Sequence, residues 1–435
     1  MNILCIAQDW FAAEWRSWGH TVVTCGRSTH LDVAVPEGQS HIGAILQQRM
    51  PGFEPDVIVV FDDSNPLEFS GLDEVAVPIF YYSVDVHHHV DRHRELLPLV
   101  DDMWVAMSDY ADRLQIDGKP AQTMPLWASR FYEPAPERTY GATFVGTMNP
   151  KLNLERVVFF EQLKRKAPVE VLTGDYTSIF SRSTVVINQT VKGDLNFRVF
   201  EAMLSGALLI TEKTGNGLLD LFTDGTHLVT YARGDADDAA EKIAYYVSHP
   251  DEALAIGSRG RAEILAKHLP VHRAERLIGH LKQLQKRSSP NRSLASMFNL
   301  ACLAKAKRTS PPNLGYLEAL TAANRALERA IQQREELTTL QSGYATLVAL
   351  EFDLVARKGT GASLLRQAAI AWPGVPVFYF AVLRDLLNQG HISTAEQYAA
   401  EIFEEPPEVL FPRVEEGIRL LLKAHGWELP SMVPC

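Results

Sequence analysis

Asn188-Gln-Thr-Val-Lys-Gly-Asp-Leu-Asn-Phe-Arg-Val-Phe-Glu-Ala-Met-Leu-Ser-Gly-Ala-Leu-Leu-Ile-Thr-Glu-Lys-Thr-Gly-Asn-Gly-Leu218 is the stretch that decides the fold. It reads as a strand end, a helix, a buried strand and a glycine-rich loop. The spacing predicts a helix from about Asn196, whose side chain suits an N-cap. Arg198 and Glu201 lie one turn apart on it and can face the same site. Ser205 and Gly206 end it. Ala207-Leu-Leu-Ile210 is short and apolar throughout, as a strand covered on both faces requires. The loop Thr214-Gly-Asn-Gly217 then lets backbone N–H groups approach an anion closely. Such a composite is expected to hold a nucleoside diphosphate at the strand ends of an α/β lobe.

The same rhythm extends in both directions. Upstream, Asn2–Ala7, Thr21–Cys25, Asp56–Phe61, Val77–Tyr82 and Met103–Met107 read as buried parallel strands. Helical patterns lie between them, as at Ile42–Arg49 and Tyr110–Leu114. Met124–Arg138 is rich in Pro and aromatic residues and reads as a linker. A second series follows, with strands at Ala142–Val145, Val169–Leu172, Thr184–Ile187, Ala207–Ile210 and His227–Tyr231. The expected fold class is therefore α/β with two Rossmann-like lobes, over 1–130 and 131–287.

Beyond Ser288-Ser-Pro290 the pattern is helical only, and 288–435 is expected to be an all-α domain. Three loose helix-pair units are visible: Asn299 to Ala326, Tyr344 to Pro373, and Phe380 to Pro406-Pro407. Small residues at helix crossings and a closing Pro resemble tetratricopeptide repeats. An ordinary helical bundle is the alternative.

Composition bounds the function. The 435 residues are 46% hydrophobic and 22% charged, so a folded chain of about three domains is expected. A net charge of −11 argues against binding nucleic acid or an anionic membrane. There is no secretory leader and no apolar run approaching the ~20 residues needed to span a bilayer, so a cytoplasmic protein is expected. The four cysteines, Cys5, Cys25, Cys302 and Cys435, form no C-x-x-C pair and read as thiols of a reducing compartment.

Phe200-Glu-Ala-Met-Leu-Ser-Gly206, followed by a strand and Gly215-Asn-Gly217, resembles the donor-lobe signature of the retaining two-Rossmann-lobe (GT-B) glycosyltransferases. Phe144-Val-Gly-Thr147, and Ile256-Gly-Ser-Arg-Gly260 with Ile264, His268 and Arg273, resemble the spore-maturation-type branch more narrowly. The resemblance covers roughly 1–285 and is tightest over 140–275. It implies a transferase using a UDP-, GDP- or dTDP-linked sugar, with no bound cofactor or metal. Glu201 would hold the ribose hydroxyls, and Gly215 to Gly217 the diphosphate or sugar. Gly146 and Thr147 would line the cleft beneath the phosphates. Arg198, with Lys192 as a second candidate, would meet the leaving diphosphate. Thr173, Gly174 and Asn188 end strands and are candidates for base contact. In many such enzymes an acid lies eight residues before the glutamate. Here that position is Gly193, with Asp194 beside it.

A second cluster, Ser83-Val-Asp-Val-His-His-His-Val-Asp-Arg-His93, follows a buried strand. Three readings compete: a metal site, a solvated loop, and an acceptor-side catalytic loop. The last is favoured, with Asp85, His87, His88 or His89 positioning or deprotonating an acceptor hydroxyl. Gln8, Asp9, Asp62 and Asp63 also follow strands and are weaker acceptor-side candidates; a helix cap suits the last two equally. Trp10, Trp15 and Trp18 are candidates for sugar stacking or for core.

The helical domain points to a polypeptide acceptor such as a flagellin or another surface protein, because repeats present broad protein-binding surfaces. Homodimerisation is a competing role. A non-catalytic scaffold, and a sugar-nucleotide epimerase or hydrolase, are the alternative functions.

Overall fold

All five side chains of Val57–Phe61 are buried, as are all five of Ile79–Ser83. Strands this apolar need cover on both faces, which parallel sheets with crossover helices provide. In the computed structural model, which describes residues 1–355, 359–403, 416, 420 and 423, they lie in the middle of the first sheet. Its strands are β1 (Asn2–Ile6), β2 (Thr21–Gly26), β3 (Val33–Ala34), β4 (Val57–Phe61), β5 (Ile79–Ser83) and β6 (Asp102–Val105). A hairpin of β7 (Gln115–Ile116) and β8 (Lys119–Pro120) leads to the edge strand β9 (Gln122–Thr123). The parallel order is β3-β2-β1-β4-β5-β6-β9. Helices α1 (Ala12–Ser17), α2 (Ile42–Arg49) and α3 (Val86–Leu96) connect the strands. The order reverses between β1 and β4, so the loops leaving their carboxyl ends diverge and open a crevice.

The second sheet repeats the scheme. It contains β10 (Tyr140–Val145), β11 (Val169–Leu172), β12 (Ser183–Asn188), β13 (Leu208–Glu212) and β14 (Val229–Tyr231), all parallel, in the order β11-β10-β12-β13-β14. The reversal here falls between β10 and β12. Helices α4 (Leu154–Leu163), α5 (Tyr176–Phe180), α6 (Phe197–Leu204), α7 (Leu218–Leu221), α8 (Ala236–Ser248) and α9 (Pro250–Lys267) complete this lobe. The glycines of α9 are there for close approach. A Cβ on Gly257 would collide with the Gly206 carbonyl, and one on Gly260 with that of His227. The segment Tyr110–Leu114, expected to be α-helical, is instead part of a 3-10 turn, Ser108–Arg113. Its bonds run three residues back, from Tyr110 N–H to the Met107 carbonyl and from Leu114 N–H to that of Ala111.

Helix α10 (Pro270–Leu281) leaves the second lobe and lies on the first. The indole N–H of the fully buried Trp15 donates to the Ala274 carbonyl at 3.1 Å, and Arg276 lies over the Trp104 ring. Two chain segments therefore cross between the lobes, and one buried side chain grips both. Arg273 donates to the carbonyls of Pro125 (2.8 Å) and Leu126 (3.0 Å) on one crossing and Lys267 (2.9 Å) on the other. It also meets His268 Nδ1 at 2.7 Å, while the Ala128 N–H donates to the His268 carbonyl.

The last described part is helical. Its helices are α11 (Arg292–Lys307), α12 (Leu314–Gln333), α13 (Thr339–Val355), α14 (Thr360–Ala371), α15 (Pro376–Asn388) and α16 (Ile392–Phe403). They form three successive pairs around their own apolar core. Pro406-Pro407 and Cys435 lie outside the described residues. Polar contacts dock this domain on the first lobe. Asn299 on α11 accepts from Leu67 N–H at 2.9 Å and donates to the Leu67 carbonyl at 2.8 Å. Arg329 pairs with Asp73 at 2.7 Å. Asp101, its carboxylate fully buried, accepts from the N–H groups of Ile79 and Arg287, both at 2.7 Å, and pairs with Arg292.

Removing one member of a buried, hydrogen-bonded charge pair strands the other. Asp101→Ala should therefore destabilise the protein by roughly 3–5 kcal/mol, read from the denaturant midpoint. Asp91→Ala, at a carboxylate that is 82% exposed in its pair with Arg94, should change it by less than ~0.5 kcal/mol.

Candidate active site

At the carboxyl edge of the second sheet a cavity of about 380 Å³ opens between the ends of β10, β12 and α6. Arg198 and Glu201 both line it, as their one-turn spacing requires. Arg198 is held in place from three sides. Its Nε donates to the Val145 carbonyl at 3.1 Å, Nη1 donates to Asn188 Oδ1 at 2.9 Å, and the guanidinium lies 4.6 Å from the centre of the Phe144 ring. A Cβ on Gly146 would come within 2.8 Å of its Nη2, so the glycine makes room for the cation. Burial, with Arg156 adding to it, lowers Arg198 to about 10, which leaves it charged at neutral pH. Glu201 accepts from Ser129 Oγ, which also meets the Tyr176 hydroxyl at 3.2 Å. The segment between the lobes thus reaches Glu201.

Arg156 was not among the sequence candidates. Its Nε donates to Gln189 Oε1 at 3.0 Å, its guanidinium lies 5.5 Å from the same Phe144 ring, and it lines the same cavity. A signal existed. Asn153 caps α4, which puts a cation in the helix's first turn, against the dipole. Asp194 is the acid of the cluster. Burial pushes it up to about 6, although the Val191 N–H at 2.6 Å and Arg198 pull the other way. Two guanidiniums, with one of the two lining carboxylates reluctant to ionise, make an anion-receiving cavity.

Other candidates move. Asn188, expected at the base, is completely buried; it donates to Thr211 Oγ1 at 3.0 Å and orients Arg198. Asn196 occupies the N-cap position of α6 but its side chain makes no cap. Its Nδ2 points to Asn188 and Asp194, both at 3.4 Å, and its Oδ1 is buried without a partner, in a residue lining the cavity. Thr173, Gly174 and Thr147 are exposed and do not line this cavity; Gly174 takes a positive φ just before Asp175, which caps α5 and so places Tyr176. Gly215, Asn216 and Gly217 lie against the first lobe, neither they nor Thr214 line the cavity, and the exposed Lys192 lies near the histidine run.

In the first lobe, Asp62 is the hub. It is buried and accepts from the N–H groups of Ser64 (2.9 Å) and Asp85 (3.2 Å), tying the loops after β4 and β5 together. It is a structural acid rather than the acceptor contact or helix cap expected. The Asp85 carboxylate is taken by Ser64 Oγ. His87 is 7% exposed, and its Nδ1 is buried without a partner. His88 is exposed, and α3 kinks at His89. Burial lowers His87 and His89 to about 4, and His88 by a smaller step, with Lys192 adding its repulsion to all three. The run is neutral at pH 7 and able to accept protons. Among the described residues no group of three or more His, Cys, Asp or Glu is placed to hold a metal ion. Gln8 and Asp63 line a separate cavity of about 320 Å³ at the ends of β1 and β4, with Arg27, Asn65 and Glu68; Asp9 is exposed. Trp10 joins Phe61, Trp127 and Phe197 in an aromatic floor between the lobes. Trp15 is core, and Trp18 is exposed.

Residues 129–279 match the family model described as "Glycosyl transferase-like". Among solved structures, Anabaena HepE in complex with UDP-glucose is 13% identical, with a TM-score of 0.51, over 65% of this chain and 100% of that one. The fold is GT-B. Sucrose-phosphate synthase from Thermosynechococcus elongatus is also similar: 12% identity and a TM-score of 0.50, over 65% and 99% of the two chains. At such identities the likeness to both is one of fold. No curated protein matches the chain. Among the described residues no helix of this GT-B chain is long and apolar enough to cross a membrane.

The charge states give a pH signature. Burial pushes Asp62 up to about 6, so the folded chain keeps a proton that an unfolded one loses near ~4. Its contribution is present below about pH 4 and lost as pH rises through about 6. His87 and His89 act oppositely. Their contribution is complete above about pH 6.5 and lost as pH falls through about 4. Urea midpoints taken between about pH 4 and 7 should show Asp62→Asn gaining on the wild type as pH rises to about 6, and no further change above.

Proposed function

We propose that this protein transfers a glycosyl unit from a nucleotide-activated sugar to an acceptor hydroxyl. The observation that carries the reading is the 380 Å³ cavity where Arg156, Arg198, Tyr176 and Glu201 converge. An acid beside a tyrosine suits a ribose and its base; two fixed guanidiniums suit a diphosphate. Cations already in place stabilise the charge that develops on a departing nucleoside diphosphate, and no metal is required for that role. HepE was solved with UDP-glucose, which favours a UDP-linked donor over a GDP- or dTDP-linked one. We read the donor lobe as close to the spore-maturation branch and the protein as cytoplasmic.

The acceptor is a polypeptide in this reading. The helix pairs α11–α16 resemble tetratricopeptide repeats and add a broad surface to the acceptor lobe. A cavity of about 650 Å³ lies between α2 and α12, lined from both sides by His41, Arg49, Glu318 and Arg325 among others. The neutral His87, whose buried Nδ1 has no protein partner, is the base we assign to the acceptor side. The lobes close over both substrates, excluding the water that would otherwise hydrolyse the donor.

Thermal melting of the full chain with UDP, GDP and dTDP, with and without Mg²⁺, tests the donor site. One diphosphate at about 100 times its Kd should stabilise the fold by ~2.7 kcal/mol, with or without Mg²⁺. Arg156→Ala and Glu201→Ala should each lose most of that shift. A flat response to all three nucleotides would overturn the proposal.

A further inference from the structure

Asp109 lies in the 3-10 turn that follows β6, at the carboxyl edge of the first sheet, and is exposed. Its Oδ1 accepts from Asn216 N–H at 3.0 Å, and its own N–H donates to Asn216 Oδ1 at 3.3 Å. The other oxygen packs so close to Gly215 that a Cβ there would collide with it. Asn216 is buried, with φ at 54°, and its Nδ2 donates to the Gly193 carbonyl at 2.7 Å. Asp194 and Asn196, just beyond Gly193, line the donor cavity. A first-lobe carboxylate therefore sits on the glycine-rich loop of the second lobe, and that loop is tied through Gly193 to the segment that lines the cavity.

A diphosphate on the same loop would face this carboxylate as a like charge. The cations that suit a diphosphate, Arg156 and Arg198, lie instead in the cavity itself. An exposed carboxylate next to an N–H donor matches a different chemistry. Anchored through one oxygen on the Asn216 N–H, it can accept from sugar hydroxyls with its remaining lone pairs.

We propose that Asp109 reads the donor's sugar: held in place by the Asn216 N–H, its carboxylate accepts from the hydroxyls of a neutral hexose while the arginines hold the diphosphate. The assignment rests on the donor site described above. Closure then completes the sugar subsite, and a bare nucleoside diphosphate gains nothing from it.

Isothermal titration of the full chain with UDP and with UDP-glucose decides the matter. GDP and GDP-glucose, or dTDP and dTDP-glucose, replace them if those are what the wild type binds. Asp109→Ala should weaken the glucose conjugate at least tenfold and leave the diphosphate unchanged or tighter. Asp109→Asn, which keeps an acceptor facing Asn216, should fall between. Equal weakening of both ligands in Asp109→Ala would make the residue a loop support and overturn the assignment. A tighter diphosphate with the sugar preference intact would make it a plug and overturn it too. If the wild type binds none of the six ligands, the donor reading itself fails, and this assignment with it.

Discussion

Everything in the cleft depends on Arg273. The lobes are joined by two crossings, and its guanidinium holds three carbonyls from them within 3.0 Å. Burial lowers this group only to about 10, so it stays charged while being tied to backbone. The arrangement makes the junction a fixed pivot instead of two loose linkers. The aromatic floor of Trp10, Trp127 and Phe197 sits above it. Residues on facing lobes can then meet in a repeatable way, which catalytic geometry requires to within a fraction of an ångström.

The same logic runs through the donor cavity. Phe144, Val145, Asn188 and Gly146 together fix one guanidinium. A cation already immobilised has no reorganisation left to undergo when charge develops beside it. The histidine run is prepared differently. Its rings are kept neutral by burial, with Lys192 of the second lobe adding its repulsion.

How much of this could be read from the sequence depended on range. The strands were legible because continuous apolar runs such as Val57–Phe61 have few alternatives. Arg198 and Glu201 were legible because helical spacing alone puts them together. The helix pairs showed in their small crossing residues. Asn188 and Asp62 were misplaced, since a polar residue at a strand end reads the same whether it faces a ligand or holds a neighbouring loop. Arg156 and Asp109 were missed because their partners lie 33 and 107 residues away in the chain. No local pattern encodes that distance. The pattern His268…Arg273 was seen only as resemblance; its physical sense, a pivot clamp, needed both crossings in view.

The helical domain adds one more consequence. Its described polar contacts run to the first lobe, through Leu67, Asp73 and Asp101. It is therefore carried by the first lobe rather than the second. A polypeptide resting on it would keep its place while spent nucleotide leaves and fresh donor arrives. Under the proposed function, nucleotide exchange and partner release would then be separate clocks, and a slow second clock would let one encounter carry several transfers along the same chain.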